Sequence, residues 1–429
     1  MKKNIFISAS IIFLCLNCYA INIDTAIKST IEKNPKVQIA MEKIKESEEL
    51  ISYAVGSKLP TVTGSIASSY SNAETTSKNV STTPETLTDS YKLSIKQNIY
   101  DSGLNNLEIE RSKILFNSEL IKFKSTIQEL ILDAINGYLT VINNEKSFEV
   151  TQKNYDSVSK AYDETKTRFD LGSATLYDIQ NAEASFAIAK TNLFASEQNL
   201  NISKKTFNRI VGLKPINLED VIDIDASFDF NTVLNNALTN NLEILLIADD
   251  IKNKEILILK EKKSNLPSLD VSGTGLYSNS GRIEDGSETT SGSISLTLTV
   301  PLFKKGQDKS NIRKYRSQLL QLEIGLLDYK DDLEILISNS YKDFKISESK
   351  MKSNLINIKS IETSLMSLNA EYIIGTKTIN DLIDEEEKLL NANFNYLNSK
   401  KDFLLNYFKI KSLDGSLIKL FDKYLTVIN

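Results

Sequence analysis

Two periodicities take turns along the chain. Residues 23–33 read as a short helix capped by Asp24, and Asn34-Pro35 ends it and starts another. In that second helix Val37, Met41, Ile44 and Ile51 fall near helical spacing, and Leu59-Pro60 stops it. The period then drops to two. Val62, Gly64, Ile66, Ser68 and Tyr70 alternate with Thr61, Thr63, Ser65, Ala67 and Ser69. Residues 71–90 read as a polar loop. In the next run Tyr91, Leu93, Ile95 and Ile99 face one way, and Lys92, Ser94, Lys96 and Asn98 the other. The pattern predicts two strands, about 61–70 and 91–100, each apolar on one side. Gly103 closes them. Over 104–171, Leu107, Ile114, Ile121, Ile135 and Ile142 recur in sevens, with Gln128 interrupting, and Leu120, Ile127, Ala134 and Val141 form a second row. Heptads sustained this far predict coiled-coil packing in a helix on the order of 100 Å long. A returning helix runs from Thr175 to about Val211 and stops at Gly212-Leu213-Lys214-Pro215.

The whole pattern then returns. Residues 217–230 form an acidic link. Residues 232–240 and 242–264 repeat the two short helices, and Leu266-Pro267 repeats Leu59-Pro60. Leu269, Val271, Gly273, Gly275 and Tyr277 alternate with polar neighbours, as do Ile294, Leu296, Leu298, Val300 and Leu302. These predict strands about 268–277 and 293–302, joined by a polar loop over 278–292. Gly306 corresponds to Gly103 and Tyr341 to Tyr138, and a second long helix spans 307–374. The best-matched pieces are FDLGSATLYDIQN at 169–181 and YIIGTKTINDLID at 372–384, which lie 203 residues apart. In each, glycine (Gly172, Gly375) is followed three places on by threonine (Thr175, Thr378), and three further on by aspartate (Asp178, Asp381). Each reads as a helix–turn–helix: glycine ends one helix in the left-handed region, threonine caps the next, and the aspartate completes a capping box. A spacing this long points to duplication of a structural unit. The expected organisation is a leader at 1–20, a first repeat at 21–212, a linker at 213–231, a second repeat at 232–411 and a tail at 412–429.

Composition narrows the chemistry. Charged residues are 25% of the 429, with a formal net charge of −5, which suggests no nucleic-acid partner. Lys2, Lys3 and the apolar run 5–16, ending at Cys18-Tyr19-Ala20, read as a secretory signal cleaved after Ala20, with lipid attachment at Cys18 as the alternative. Both cysteines, Cys15 and Cys18, lie in that segment, and the chain has no histidine. Thiolate nucleophiles, zinc sites and histidine triads are therefore not expected after cleavage, nor is any cofactor. Carboxylate pairs such as Asp331/Asp332 sit on helical faces without a catalytic partner, so an enzyme is not expected. No later apolar run approaches the length of a spanning helix.

The four one-sided strands need an apolar partner, and the helices use their stripes on one another. Lipid is the simplest partner, but only a closed barrel can face hydrocarbon without unpaired backbone groups. Four strands are too few to close, so copies must pool them, and a trimer supplies twelve. The expected fold is mainly α with transmembrane β. Long antiparallel coiled-coil helices would form an α-barrel, and four strands per chain would enter a trimeric twelve-stranded barrel. Lys92 and Lys96 would then face the barrel interior or its rim.

On these residues the chain resembles the TolC family of bacterial outer-membrane efflux proteins. The resemblance is carried by the leader, the repeated helix–strand–strand–helix–turn–helix unit, the two G-x-x-T-x-x-D turns, and the segments NIYDSG at 98–103 and PLFKKG at 301–306. It implies a homotrimer in the outer membrane with a periplasmic tunnel. It also implies partners: a periplasmic adaptor protein and an inner-membrane efflux pump or ABC transporter. The adaptor would meet the turns at Gly172, Thr175, Gly375 and Thr378. Asp178 would be the acceptor of gate links from Tyr372 and Lys377, with lysine where the family's better-known residue is arginine, and so without its bidentate fork. Asp381 and Asp384 match the family's acidic constriction; three apart, they share a helix face, and three-fold symmetry would gather six carboxylates. Glu385, Glu386 and Glu387 read as plain surface, and Lys388 as a possible mate for Asp384. The implied function is an exit duct for multidrug efflux or type I secretion. A secreted coiled-coil adhesin or stalk is the alternative.

Overall fold

A computed structural model describes residues 21–72, 75–77, 80–82, 85–220, 227–281 and 286–421. The leader with Cys15 and Cys18, residues 221–226 of the linker and 422–429 of the tail lie outside the described residues. The elements run α1 (Ile23–Lys33), α2 (Pro35–Gly56), β1 (Thr61–Asn72), β2 (Thr75–Ser77), β3 (Val80–Thr82), β4 (Glu85–Tyr100), α3 (Leu104–Asp170), α4 (Leu176–Val211), α5 (Phe230–Asn240), α6 (Leu242–Lys263), β5 (Ser268–Gly281), β6 (Gly286–Thr299), α7 (Gln307–Ile373), α8 (Ile379–Leu413) and α9 (Leu417–Leu420). Both long helices, α3 and α7, have 67 residues. Among the described residues no helix is long and apolar enough to cross a membrane.

Three local expectations are corrected. The cap of α1 is Asn22, whose Oδ1 accepts from the Thr25 amide at 2.8 Å, while Asp24 sits inside the first turn. The stretch 71–90 is mostly strand: β1 runs on to Asn72, β4 begins at Glu85, and β2 and β3 pair with each other. Likewise β5 and β6 reach Gly281 and Gly286, so most of 278–292 is paired. Polar, threonine- and serine-rich ends hide their strand character because they lack the apolar alternation, yet backbone pairing needs no apolar side chain.

The chain divides into two units. One comprises Ile39–Lys124 and Leu242–Asp332. Its sheet is antiparallel in the order β1-β4-β5-β6. The register aligns apolar positions into rows: Val62 opposes Ile95, which opposes Gly273, which opposes Ile294. Ile66, Tyr91 and Tyr277 make another row, the two tyrosine rings lying 6.1 Å apart. The opposite face carries rows such as Thr61–Lys96–Ser272–Ser295 and Thr63–Ser94–Thr274–Ser293. Most of the apolar face is exposed, Ile294 by 88% and Ile66 by 78%. Strand passes to helix through left-handed pairs at Ser102–Gly103 and Lys305–Gly306. Below the sheet, polar side chains join α3 to α6: Lys260 bonds Glu108, Arg111 Nε donates to Asn253 at 3.1 Å, and Asn117 bonds the buried Asp249.

The other unit comprises Met1–Gln38, Ser125–Asn241 and Leu333–Asn429. Here the heptad rows of α3 go inside: Ile127, Ile131, Ala134, Ile135 and Tyr138 are fully buried, with Phe207 of α4 against them. A second core joins α7 and α8 through Phe344 and Phe403, whose rings stack at 5.2 Å, with Phe228 edge-on. The linker docks as a short parallel bridge, Ile21 with Leu218. The Tyr138 hydroxyl lies 2.8 Å from the Ile21 carbonyl and 2.7 Å from that of Glu219, which share its hydrogen. Burial pushes that phenol well above its usual range. Next to it, Asp220 is bonded by both Lys146 and Lys400, the latter at 3.1 Å. Burial alone would raise its carboxyl, but the two ammonium groups outweigh this and hold it below the ordinary range.

That depression fixes a pH dependence. Asp220→Asn should lower the stability of this unit by about 1–2 kcal/mol at neutral pH. Because the native carboxyl titrates below its unfolded value, the difference between wild type and variant should be complete above about pH 4–5 and fade as pH falls through the depressed native value. Urea melts of both proteins at stepped pH measure it.

Candidate functional site

The two hairpin turns of the second unit share one construction. At the end of α3, Gly172 takes φ 75°, its amide donates to the Phe169 carbonyl at 2.9 Å, and the Ser173 amide donates to Arg168 at 2.7 Å. At the end of α7, Gly375 takes φ 83°, with the same pair of bonds to Tyr372 and Glu371, each 3.0 Å. This is the Schellman ending, and only glycine enters it without a Cβ penalty. Thr175 then caps α4 and Thr378 caps α8, each with a complete capping box closed by Asp178 or Asp381. The Thr175 hydroxyl donates to Asp178 Oδ2 at 2.7 Å, and Thr378 to Asp381 Oδ2 at 2.8 Å. Those threonine hydroxyls and amides hold both aspartates below the usual carboxylate range.

The hairpins also touch each other. The Asn380 amide donates to Asp178 Oδ1 at 3.0 Å and accepts from the Asn181 amide at 3.0 Å. About two turns before the first tip, Glu164 Oε1 accepts from the Tyr372 hydroxyl at 2.7 Å and from Arg168 at 2.8 Å. The Arg168 guanidinium lies 5.0 Å from the Tyr372 ring centroid. Burial first, then the Glu164 carboxylate, push the Tyr372 phenol up to about 12.

Within the chain, therefore, the acceptor for Tyr372 is Glu164, and Asp178 is joined to Asn380 instead of Tyr372 or Lys377. Asp178 Oδ2 serves its own cap and Oδ1 accepts from Asn380, which leaves Oδ1 a second lone pair. Lys377 is exposed and makes no salt bridge within 4 Å among the described residues, although its charge favours ionised Asp381. Asp384 is exposed on the next turn of α8 after Asp381. Its expected mate is taken, since Lys388 bonds Glu385 at 3.0 Å. Glu385 and Glu386 are not plain surface. Glu385 is 8% exposed, its carboxyl drawn down by the Lys388 ammonium. Glu386 is half-buried, and burial pushes its carboxyl up against an opposing Ser157 hydroxyl. It lines a cavity of about 470 Å³ with Ser157, Lys160, Glu164, Tyr372 and Leu382.

Sequence reasoning missed Glu164, Arg168 and Asn380, which lie outside the repeated motif or at its variable place. It also missed a polar seam between helices, where Asn143 donates to Asn398 at 3.3 Å, Asn144 to the Asn199 carbonyl at 3.2 Å, and Asn354 to the Asn395 carbonyl at 3.0 Å. The available signal was asparagine recurring inside apolar heptads.

Thr378→Ala should remove the cap of α8 at a cost of about 1 kcal/mol. Hydrogen exchange should show amides 380–384 exchanging about fivefold faster, with 176–182 unchanged. Equal acceleration in both hairpins would mean the caps are not independent.

Residues 26–213 match the family model described as "Outer membrane efflux protein". The chain is 25% identical to the outer membrane protein TolC of Escherichia coli over 315 residues, 69% of this chain and 63% of that protein. The match thus spans less than two thirds of TolC. It is 21% identical to the alkaline protease secretion protein AprF of Pseudomonas aeruginosa over 346 residues, covering 77% and 70%. Among solved structures, the CmeC outer membrane channel of Campylobacter jejuni superposes with a TM-score of 0.76 at 14% identity, over 95% of this chain and 89% of that one. VceC of Vibrio cholerae gives 0.74 at 14%, covering 92% and 96%. The chain is thus similar in sequence to the outer membrane efflux protein family over residues 26–213, and it shares the fold of solved outer membrane channels.

Proposed function

We propose that three copies of this chain close a twelve-stranded barrel in the outer membrane and continue as a helical duct through the periplasm. The duct serves as the passive exit for efflux or type I secretion, opened by an inner-membrane transporter and a periplasmic adaptor. The observation that carries this is the sheet of β1, β4, β5 and β6. It has one exposed apolar face, and its outer strands β1 and β6 each pair on one side only among the described residues. Such edges are tolerable in hydrocarbon only when other strands complete them. The recurrence of capping box, Schellman turn and 67-residue helix supports duplication of the unit. A secreted stalk has no use for an apolar sheet face.

The hairpin tips take the remaining roles. Gly172, Thr175, Gly375 and Thr378 shape rigid, exposed turns for the adaptor. Tyr372–Glu164–Arg168 and Asp178–Asn380 latch one hairpin to the other inside each chain, and exposed Lys377 completes the Asp178 link across copies. Asp381 and Asp384 of three copies form an acidic constriction that admits cations and is blocked by multivalent ones.

Two measurements test this. Extracted in detergent, the protein should run as a trimer and give discrete conductance steps in planar bilayers, and Asp381→Ala with Asp384→Ala should raise conductance and lose block by multivalent cations. A non-conducting monomer would sink the channel, and unchanged block would move the constriction elsewhere. Tyr372→Phe with Lys377→Ser should raise resting conductance at least severalfold without changing the trimer; identical resting conductance would remove both residues from the latch.

A further inference from the structure

The apolar alternation of β6 runs on past the strand. Ile294, Leu296, Leu298, Val300 and Leu302 keep one period, and Leu302 and Phe303 are 93% and 84% exposed. Basic residues begin at once. Residues 260–263 and 304–316, at the end of α6 and the start of α7, hold nine lysines and arginines against two acids, Glu261 and Asp308, in a protein whose total charge is −5. Some of these bases are occupied locally. Lys260 pairs with Glu108, Lys304 bonds the Ser264 carbonyl, and Lys314 lies 4.7 Å from the Tyr315 ring centroid.

Four are not. Lys305, Lys309, Arg313 and Arg316 are exposed and make no salt bridge within 4 Å among the described residues. Asp308, the acid on this stretch of α7, already accepts from Asn265 at 2.6 Å. On α7, Lys309, Arg313 and Arg316 are spaced four and three apart, so they share a face. At the helical rise they span about 10 Å. A headgroup layer is roughly 5–8 Å deep, and charge acts about 8 Å further in physiological salt. The stripe therefore lies within reach of a charged interface that starts where the apolar alternation stops.

We propose that Lys305, Lys309, Arg313 and Arg316 dock the headgroups of anionic phospholipid in the leaflet on the helical side of the barrel, with Leu302 and Phe303 at the acyl boundary. This rests on the channel reading. The occupant follows from charge: unpaired bases beside an exposed apolar pair match an anionic headgroup above its acyl chains.

The test uses the full-length assembled protein in vesicles of phosphatidylethanolamine and phosphatidylglycerol at about 7:3. A photoreactive amino acid replacing Arg313 should label phosphatidylglycerol well above its mole fraction. Chain-to-chain adducts there, or lipopolysaccharide adducts in native outer membrane, would overturn the proposal by naming another occupant. In the second arm Lys305→Ser, Lys309→Ser, Arg313→Ser and Arg316→Ser are combined. Native mass spectrometry should show at least about fivefold less retained phosphatidylglycerol, the loss of a single headgroup-bound cation, with trimer mass and conductance unchanged. Equal retention in a conducting variant would overturn the lipid site alone. Wild-type protein that enters no vesicle and stays monomeric would overturn the channel reading and this site together.

Discussion

A backbone amide in hydrocarbon has no water to turn to, and the rest of this molecule's organisation follows from that constraint. The sheet satisfies its inner strands β4 and β5 by antiparallel pairing on both sides, with one register shift between Asn98 and Tyr100. Among the described residues its two outer strands are paired on one side only. The apolar face adds a second demand, because rows such as Val62–Ile95–Gly273–Ile294 are left largely exposed among the described residues. The proposed joining of copies edge to edge would answer both demands at once and leave the helices to coiled-coil contacts with one another.

The helical part meets a different requirement. A hairpin tip that is exposed must be stiffened without burial. Each tip achieves this with backbone chemistry: a left-handed glycine, two reverse hydrogen bonds and a capping box. The aspartate of each box is fixed by its own threonine, so its charge has a set position. What joins one hairpin to the other is weaker and more exposed: Asn380 to Asp178, and Tyr372 to Glu164 beside Arg168. Rigid units linked by modest polar contacts are consistent with the proposed opening of the latch.

Elsewhere in the same unit two polar groups, one buried and one half-buried, hold partners from distant parts of the chain, although Gln128 Oε1, Asn143 Oδ1 and Ser340 Oγ are buried without one among the described residues. Tyr138 ties the linker to α3, and Asp220 holds Lys146 and Lys400 from opposite halves of the chain. Such contacts resist slippage, as does the asparagine seam, because a one-turn slide would leave amides and carboxylates unpaired.

Local periodicity was enough to read most elements in the sequence. The switch from period 3.6 to period two at Leu59-Pro60 marks where α2 gives way to β1, and the glycine–threonine–aspartate spacing specifies both tips down to the capping box. These features are set by neighbours a few residues apart, so the chain spells them out. Strand ends beyond Tyr70 and before Tyr91 were illegible because serine and threonine pair through backbone alone. The partners of Tyr372, Asp178 and Lys388 depended on which side chains arrive from about 200 residues away or on which rotamer a neighbour adopts. Only packing decided that Glu164 sits under the Tyr372 hydroxyl and that Glu385, not Asp384, takes Lys388. Hydrogen-bond geometry selects among several chemically equal candidates, and linear spacing carries no record of that choice.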